Sequence, residues 1–248
     1  MLRSELLKLK RSSIWLIAVV MPLLAVITGT INFASNPDQL DAGWASFTSQ
    51  VTLFYGLVFS SVSIGLLAAV VWRPEHRGTN WNLLATHART PVRLVLAKTA
   101  AIALAVAVMQ AVLVTATLIA GVVVLGLQDA APWRFALVGA LAVVAALPLI
   151  AAQSLLSMLL RSFTAPVAIC LVGCVAGVAS VTSEALRPLG TVLPQALNTR
   201  ALNLGGTSLA GSGDLSAADA LPIVVAAIGV ALVIVGASVA AIRWIKLR

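Results

Sequence analysis

Six long apolar runs, separated by short polar segments, organise the whole chain. They cover residues 13–34, 47–72, 94–127, 135–160, 162–183 and 220–242. Each holds at least the ~20 residues that an α-helix needs to cross ~30 Å of hydrocarbon. The runs are continuous and do not break into the ~10-residue alternating segments of a transmembrane barrel. Lipid offers the backbone no hydrogen-bonding partner, so helices are the expected form. The pattern predicts an all-α membrane protein with six transmembrane helices in one domain, residues 1–248. The third run is long enough that its first turn, with Lys98, is expected to project into the cytosol. Pro22 and Pro148 are expected to kink the first and fourth helices.

The polar gaps add detail. Residues 1–12 read MLRSELLKLKRS. Leu2, Leu6 and Leu9 recur at helical spacing among Arg3, Lys8, Lys10 and Arg11, which predicts a short amphipathic helix at the inner membrane surface. The first run is too long for a signal peptide, and no small-x-small site follows it, because Asn32 would occupy the −3 position of a cleavage after Ala34. Residues 73–93 form the most polar gap. Residues 184–219 form the longest one and are expected to be an extracellular loop. Its first half is broken by Pro188 and Pro194 and is expected to form short helices dipping into the outer leaflet. Its second half is rich in Gly and Ser.

Charge assigns the sides. The N-terminus, second gap, fourth gap and C-terminus carry thirteen Lys or Arg and only Glu5 and Glu75 as acids. The other three gaps carry Arg134, Arg187 and Arg200 against six acids. The positive-inside rule then predicts that both termini are cytoplasmic in a multi-pass cell (plasma) membrane protein. The net charge of +8 reads as an orientation signal and not as a nucleic-acid footprint, because it is split among four short segments. Trp15, Trp44, Trp72, Trp133 and Trp244 fall at span ends, as rings that prefer the headgroup level would. A chain that is 60% hydrophobic and 10% charged lacks the polar surface of a soluble domain.

Candidate chemistry is sparse. There is no G-x-x-x-x-G-K-[ST], so the chain has no P-loop of its own, and neither HExxH nor GxSxG occurs. No catalytic, cofactor-binding or metal-ligating set is predicted. His76 and His87 share one gap without a second ligand pair. Cys170 and Cys174 read as packing residues. Gln110, Gln153 and Ser154 lie within spans, where they either bond between helices or line a pathway. Gly173 and Gly177 form a GxxxG that favours close helix packing. No ionisable side chain lies deep in a run, which removes the usual relays of ion-driven carriers.

The second gap holds Arg73, Glu75, His76, Arg77, Gly78, Thr79, Trp81, Leu83, Leu84, Pro91 and Arg93, with Lys98 following. Thr79 can cap a short helix on which Trp81, Leu84 and Ala85 share a face. Such a helix either docks a partner protein or lies on lipid.

Glu75, Gly78, Thr79, Leu83, Leu84, Pro91, Arg93 and Lys98 resemble the signature of ABC-2 type exporter permeases, in the type V exporter-like architecture. Residues 2–12 resemble that family's connecting helix, with Leu2, Leu6, Leu9 and Lys10 as its candidate residues. The resemblance implies an ABC transporter permease that is no enzyme itself. A separate ABC ATPase would carry ATP and Mg and dock on Glu75, His76, Arg77, Gly78, Thr79, Trp81, Leu83 and Leu84. A second permease copy, identical or related, would complete the pathway in the membrane lipid. The cargo would be amphipathic: an antibiotic, a lantibiotic-like peptide or a lipid. The residues alone leave a nucleotide-independent facilitator, or a non-transporting scaffold or sensor, as alternatives.

Overall fold

The structure, a computed structural model, describes residues 2–9, 12–76, 91–130, 132–208 and 213–245. Among them, six helices are long and apolar enough to cross a membrane: Ile14–Ser35, Trp44–His76, Val92–Val124, Trp133–Leu159, Thr164–Thr182 and Ala217–Ile242. In chain order the α-helices are α1 (Leu2–Leu9), α2 (Ile14–Ser35), α3 (Trp44–Phe54), α4 (Ser60–Trp72), α5 (Pro91–Ile119), α6 (Trp133–Ala145), α7 (Leu147–Leu159), α8 (Thr164–Thr182), α9 (Pro194–Leu202) and α10 (Ala217–Ile245).

The second span is composite. A π-helical turn, Tyr55–Phe59, joins α3 to α4, and a 3-10 turn, Arg73–His76, ends it. It is also the centre of the bundle: α4 packs on α7 and α8, while α3 packs on α2. Phe47, Val51, Tyr55, Ile64 and Leu67 are wholly buried along it. Close approach explains part of this. A Cβ on Gly29 of α2 would come within 2.7 Å of the Val51 Cα, so α2 and α3 meet backbone to backbone. The last helix is the opposite case, with Leu221, Val225, Leu232 and Val233 exposed toward the apolar surroundings expected of a span.

Pro148 breaks the fourth span as its chemistry requires. It has no N–H to give Val144, and its ring crowds that carbonyl; the helix is interrupted at Ala146, between α6 and α7. Pro22 sits inside an unbroken α2.

Three expectations are refined. Residues 184–219 are not merely a loop beside the bundle. After two 3-10 turns the chain forms α9, which runs back among the spans and contacts α7, α8, α10 and the π turn. Its residues Gln195–Thr199, Ala201 and Leu202 are buried. A short helix was expected here, and it is seated on protein, with the second span supplying partners for Asn198 and Thr199. Lys98 lies two turns inside α5 and is wholly buried by protein, which the sequence did not indicate. Trp44 and Trp72 lie at ends of the second span as expected and are buried by protein there, whereas Trp133 is exposed.

The GxxxG of α8 packs closely, and its partner is α9. Gly173 and Gly177 both face Gln195, and a Cβ on Gly177 would lie 2.8 Å from the Gln195 Cβ. Gly177→Ala is therefore expected to lower thermal stability by about 1–3 kcal/mol through overpacking. Gly229→Ala on α10, where nothing lies within 4 Å, is the control expected to leave the melting temperature unchanged. Equal melting of both variants would remove α9 from its seat on α8.

Candidate functional site

An eight-residue α1 cannot hold its shape alone, since isolated helices of that length are marginal in water. It is held here by packing and by charge. Leu9 is buried in the main apolar core, and Glu5 points at α5 and is buried as well. The Lys98 ammonium lies 3.1 Å from Glu5 Oε2 and 2.9 Å from Glu75 Oε1. Lys8 closes the ring, 2.9 Å from Glu5 Oε1 and 3.3 Å from Glu75 Oε1. Two carboxylates and two ammoniums thus form a neutral knot that ties α1, the end of the second span and α5 together.

The third ligand of Lys98 follows from a proline. The ammonium donates to the Val71 carbonyl at 3.0 Å. In the 3-10 register that carbonyl would bond residue 74, but Pro74 has no N–H. Lys98 fills the place of the missing donor. The ammonium also lies 4.9 Å from the Trp72 ring centroid, within cation–π range.

Burial pushes the Glu5 carboxyl up, but the Lys98 charge, with Lys8, outweighs it and holds the group below its ordinary value. Burial pulls Lys8 down, but its bond to Glu5 and the charges of Glu5 and Glu75 hold it above its ordinary value.

Beyond the knot, a seam of polar groups follows the second span through the bundle. At the acidic end, Gln50 donates to Ser208 Oγ and Ser49 accepts from the Thr207 N–H. Next, Thr199 donates to the Gly56 carbonyl at 2.8 Å. The wider π turn leaves that carbonyl free to accept, and Gly56 has no Cβ to collide with Asn203. Asn198 then donates to Ser60 Oγ at 3.0 Å, and the Cys170 thiol to the Ser61 carbonyl. Gln153 approaches Gly65, Trp72 donates to Ser154 Oγ at 2.8 Å, and His76 Nε2–H donates to the Ser157 carbonyl at 2.7 Å. Ser61 Oγ, Gln153 Oε1, Ser157 Oγ, Asn198 Oδ1 and Asn203 Oδ1 are buried without a hydrogen-bond partner among the described residues. A buried polar atom left so costs about 1–3 kcal/mol, so the seam is where a polar group entering the bundle gains most.

The expected site residues divide accordingly. Glu75 and His76 are brought to the knot and to the end of the seam. Arg77, Gly78, Thr79, Trp81, Leu83 and Leu84 lie outside the described residues. Of the candidate connecting-helix residues, Leu9 is buried in the main core; Lys10 lies outside the described residues, as do the side chains of Leu2 and Leu6. Gln153 and Ser154 lie on the seam. Gln110 meets the same span at the Tyr55 hydroxyl, 3.4 Å away. Sequence reasoning missed Glu5, Asn198, Thr199 and Asn203. The only available signal for Glu5 was a lone acid in a basic segment.

Lys98→Met is expected to cost about 3–5 kcal/mol, because it leaves buried carboxylates in excess. Adding Glu75→Gln is expected to recover most of that loss by restoring neutrality, as read by melting in detergent. Acid gives a second check. A carboxyl held below its ordinary value stabilises fully above pH 4.5 and loses that contribution as pH falls through its folded value. An ammonium held above its ordinary value stabilises fully below pH 10.5 and loses that contribution as pH rises through its folded value. The melting temperature should thus fall below pH 4.5 in the wild type, and less steeply in Glu5→Gln.

No curated protein and no solved structure matches the chain. A family model does: that of the ABC-2 family transporter proteins, which matches residues 1–177. The match takes in α1, the knot and most of α8, and stops before α9 and α10. With most of its length matched, from the connecting helix through the charge knot, the chain belongs to the ABC-2 transporter family and is a membrane permease of that kind.

Proposed function

We propose that this permease is the passive half of an ATP-driven exporter, moved through its charge knot. A separate ABC ATPase with ATP and Mg docks on residues 73–93 at the cytoplasmic face, which the positive-inside rule assigns to the basic end. Closure of the ATPase pair displaces that segment. Because Glu75 shares the Lys98 ammonium with Glu5, the displacement is carried into α5 and α1 together. The seam between the second span and α9 then opens outward, and its unpartnered polar atoms meet the polar side of an amphipathic cargo, an antibiotic, a peptide or a lipid. A second copy, or a related permease, completes the pathway. The observation that carries this reading is the wholly buried Lys98 bound to acids from two separate segments.

The test is reconstitution with the cognate ATPase, with transport and ATP hydrolysis measured together. Lys98→Met with Glu75→Gln should be stable yet transport at least about tenfold less per ATP hydrolysed. Wild-type coupling in that stable double variant would take the knot out of the mechanism. Transport by the permease alone, without nucleotide, would replace the whole reading with that of a facilitator.

A further inference from the structure

A second feature of the basic end uses none of the four side chains of the knot, although Arg73 and His76 belong to the segment on which the ATPase is proposed to dock. Where the second span ends beside the turn between α7 and α8, a cleft of about 250 Å³ opens. Arg73, His76, Arg161, Ser162 and Phe163 line it, with Ala69, Ser157 and Leu160. Its donors are held in place. The Arg73 guanidinium lies 5.4 Å from the Phe163 ring centroid, and His76 is pinned by its bond to the Ser157 carbonyl. Among the described residues neither Arg73 nor Arg161 has a carboxylate within ion-pair distance, since the four ion pairs all belong to the knot. Two guanidiniums therefore converge on one cleft with no counter-charge among the described residues.

Guanidinium forks match the oxygens of a phosphate, two N–H bonds at a time. The surroundings identify what carries that phosphate. Leu159 at the end of α7 is exposed, and so are Ile169 and Val172, one to two turns into α8. Ile169 and Val172, three residues apart, share an exposed apolar face of α8, the helix that starts just after the turn lining the cleft, and that face is suited to acyl chains. We propose that this cleft binds the headgroup phosphate of an anionic membrane phospholipid, with the lipid tails lying along α8. One guanidinium balances a phosphodiester. The second leaves a positive charge that favours a headgroup without a cation of its own over a zwitterionic one.

The experiment uses the full chain in detergent, with phosphatidylglycerol, phosphatidylcholine of the same acyl chains, or inorganic phosphate added, and native mass spectrometry reading the bound fraction. Phosphatidylglycerol should bind at least about tenfold more tightly than phosphatidylcholine, given the contribution of each cation near a lipid headgroup. Arg73→Gln with Arg161→Gln should abolish that preference, and Ser162→Glu should weaken it by placing a like charge in the cleft. All three side chains are exposed, so these variants should fold. Arg134→Gln at the acidic end should leave the preference intact. Equal binding of the two lipids to the wild type, or an unchanged preference in the cleft variants, would overturn the proposal. Full displacement of phosphatidylglycerol by millimolar inorganic phosphate would overturn the lipid assignment in favour of a free anion.

Discussion

A buried ammonium is the constraint around which the basic end of this protein is built. Removing Lys98 from water is tolerable only if its charge is matched and its donors are used. One carboxylate comes from α1, another from the end of the second span, and the carbonyl comes from a helix turn that Pro74 leaves short of a donor. None of these three segments can move far without leaving a charge or a carbonyl unpaired. The cost of separating them makes four side chains a single tie between α1, α5 and the second span. It also gives the short α1 an address that its own length could not supply.

The second span links that tie to the rest of the bundle. It carries Glu75 at one end and the polar seam along its length. Its π turn and Gly56 make room for α9, whose Asn198 and Thr199 are buried only because Ser60 and the Gly56 carbonyl receive them. The span is thus regular α-helix up to its 3-10 end near the knot and is interrupted by a π turn near α9. Packed backbone connects the Glu75 end to α9, with α7 and α8 in contact with the span and with α9.

Much of this was legible in the sequence, and the reasons differ by element. The spans were clear because hydrocarbon thickness imposes length and apolarity on every one of them. Glu75 and Lys98 stood out individually, and Pro148 announced the break in the fourth span. Their pairing was not legible, because Glu5 and Lys98 are 93 residues apart in the chain and nothing local marks one as the other's partner. The short helix of segment 194–202 was legible, but its seat inside the bundle was not, for a physical reason. Its polar residues satisfy a polar groove inside the bundle, and the sequence pattern of a helix in a polar groove is the same as that of a helix in water. The burial of two tryptophans was hidden similarly, since Trp72 and Trp44 reach span ends but spend their N–H groups on Ser154 and on the Asp129 carbonyl.

The central claim is that the knot makes α1 and α5 one body. Spin labels at Leu7 and Val92, both exposed, report the distance between them directly by electron paramagnetic resonance. A tie held by Lys98 should give one narrow distance distribution with and without nucleotide in the assembled transporter. The distribution should broaden when Lys98 is replaced by Met. An equally narrow distribution in that variant would show that α1 is held by something other than the buried charge.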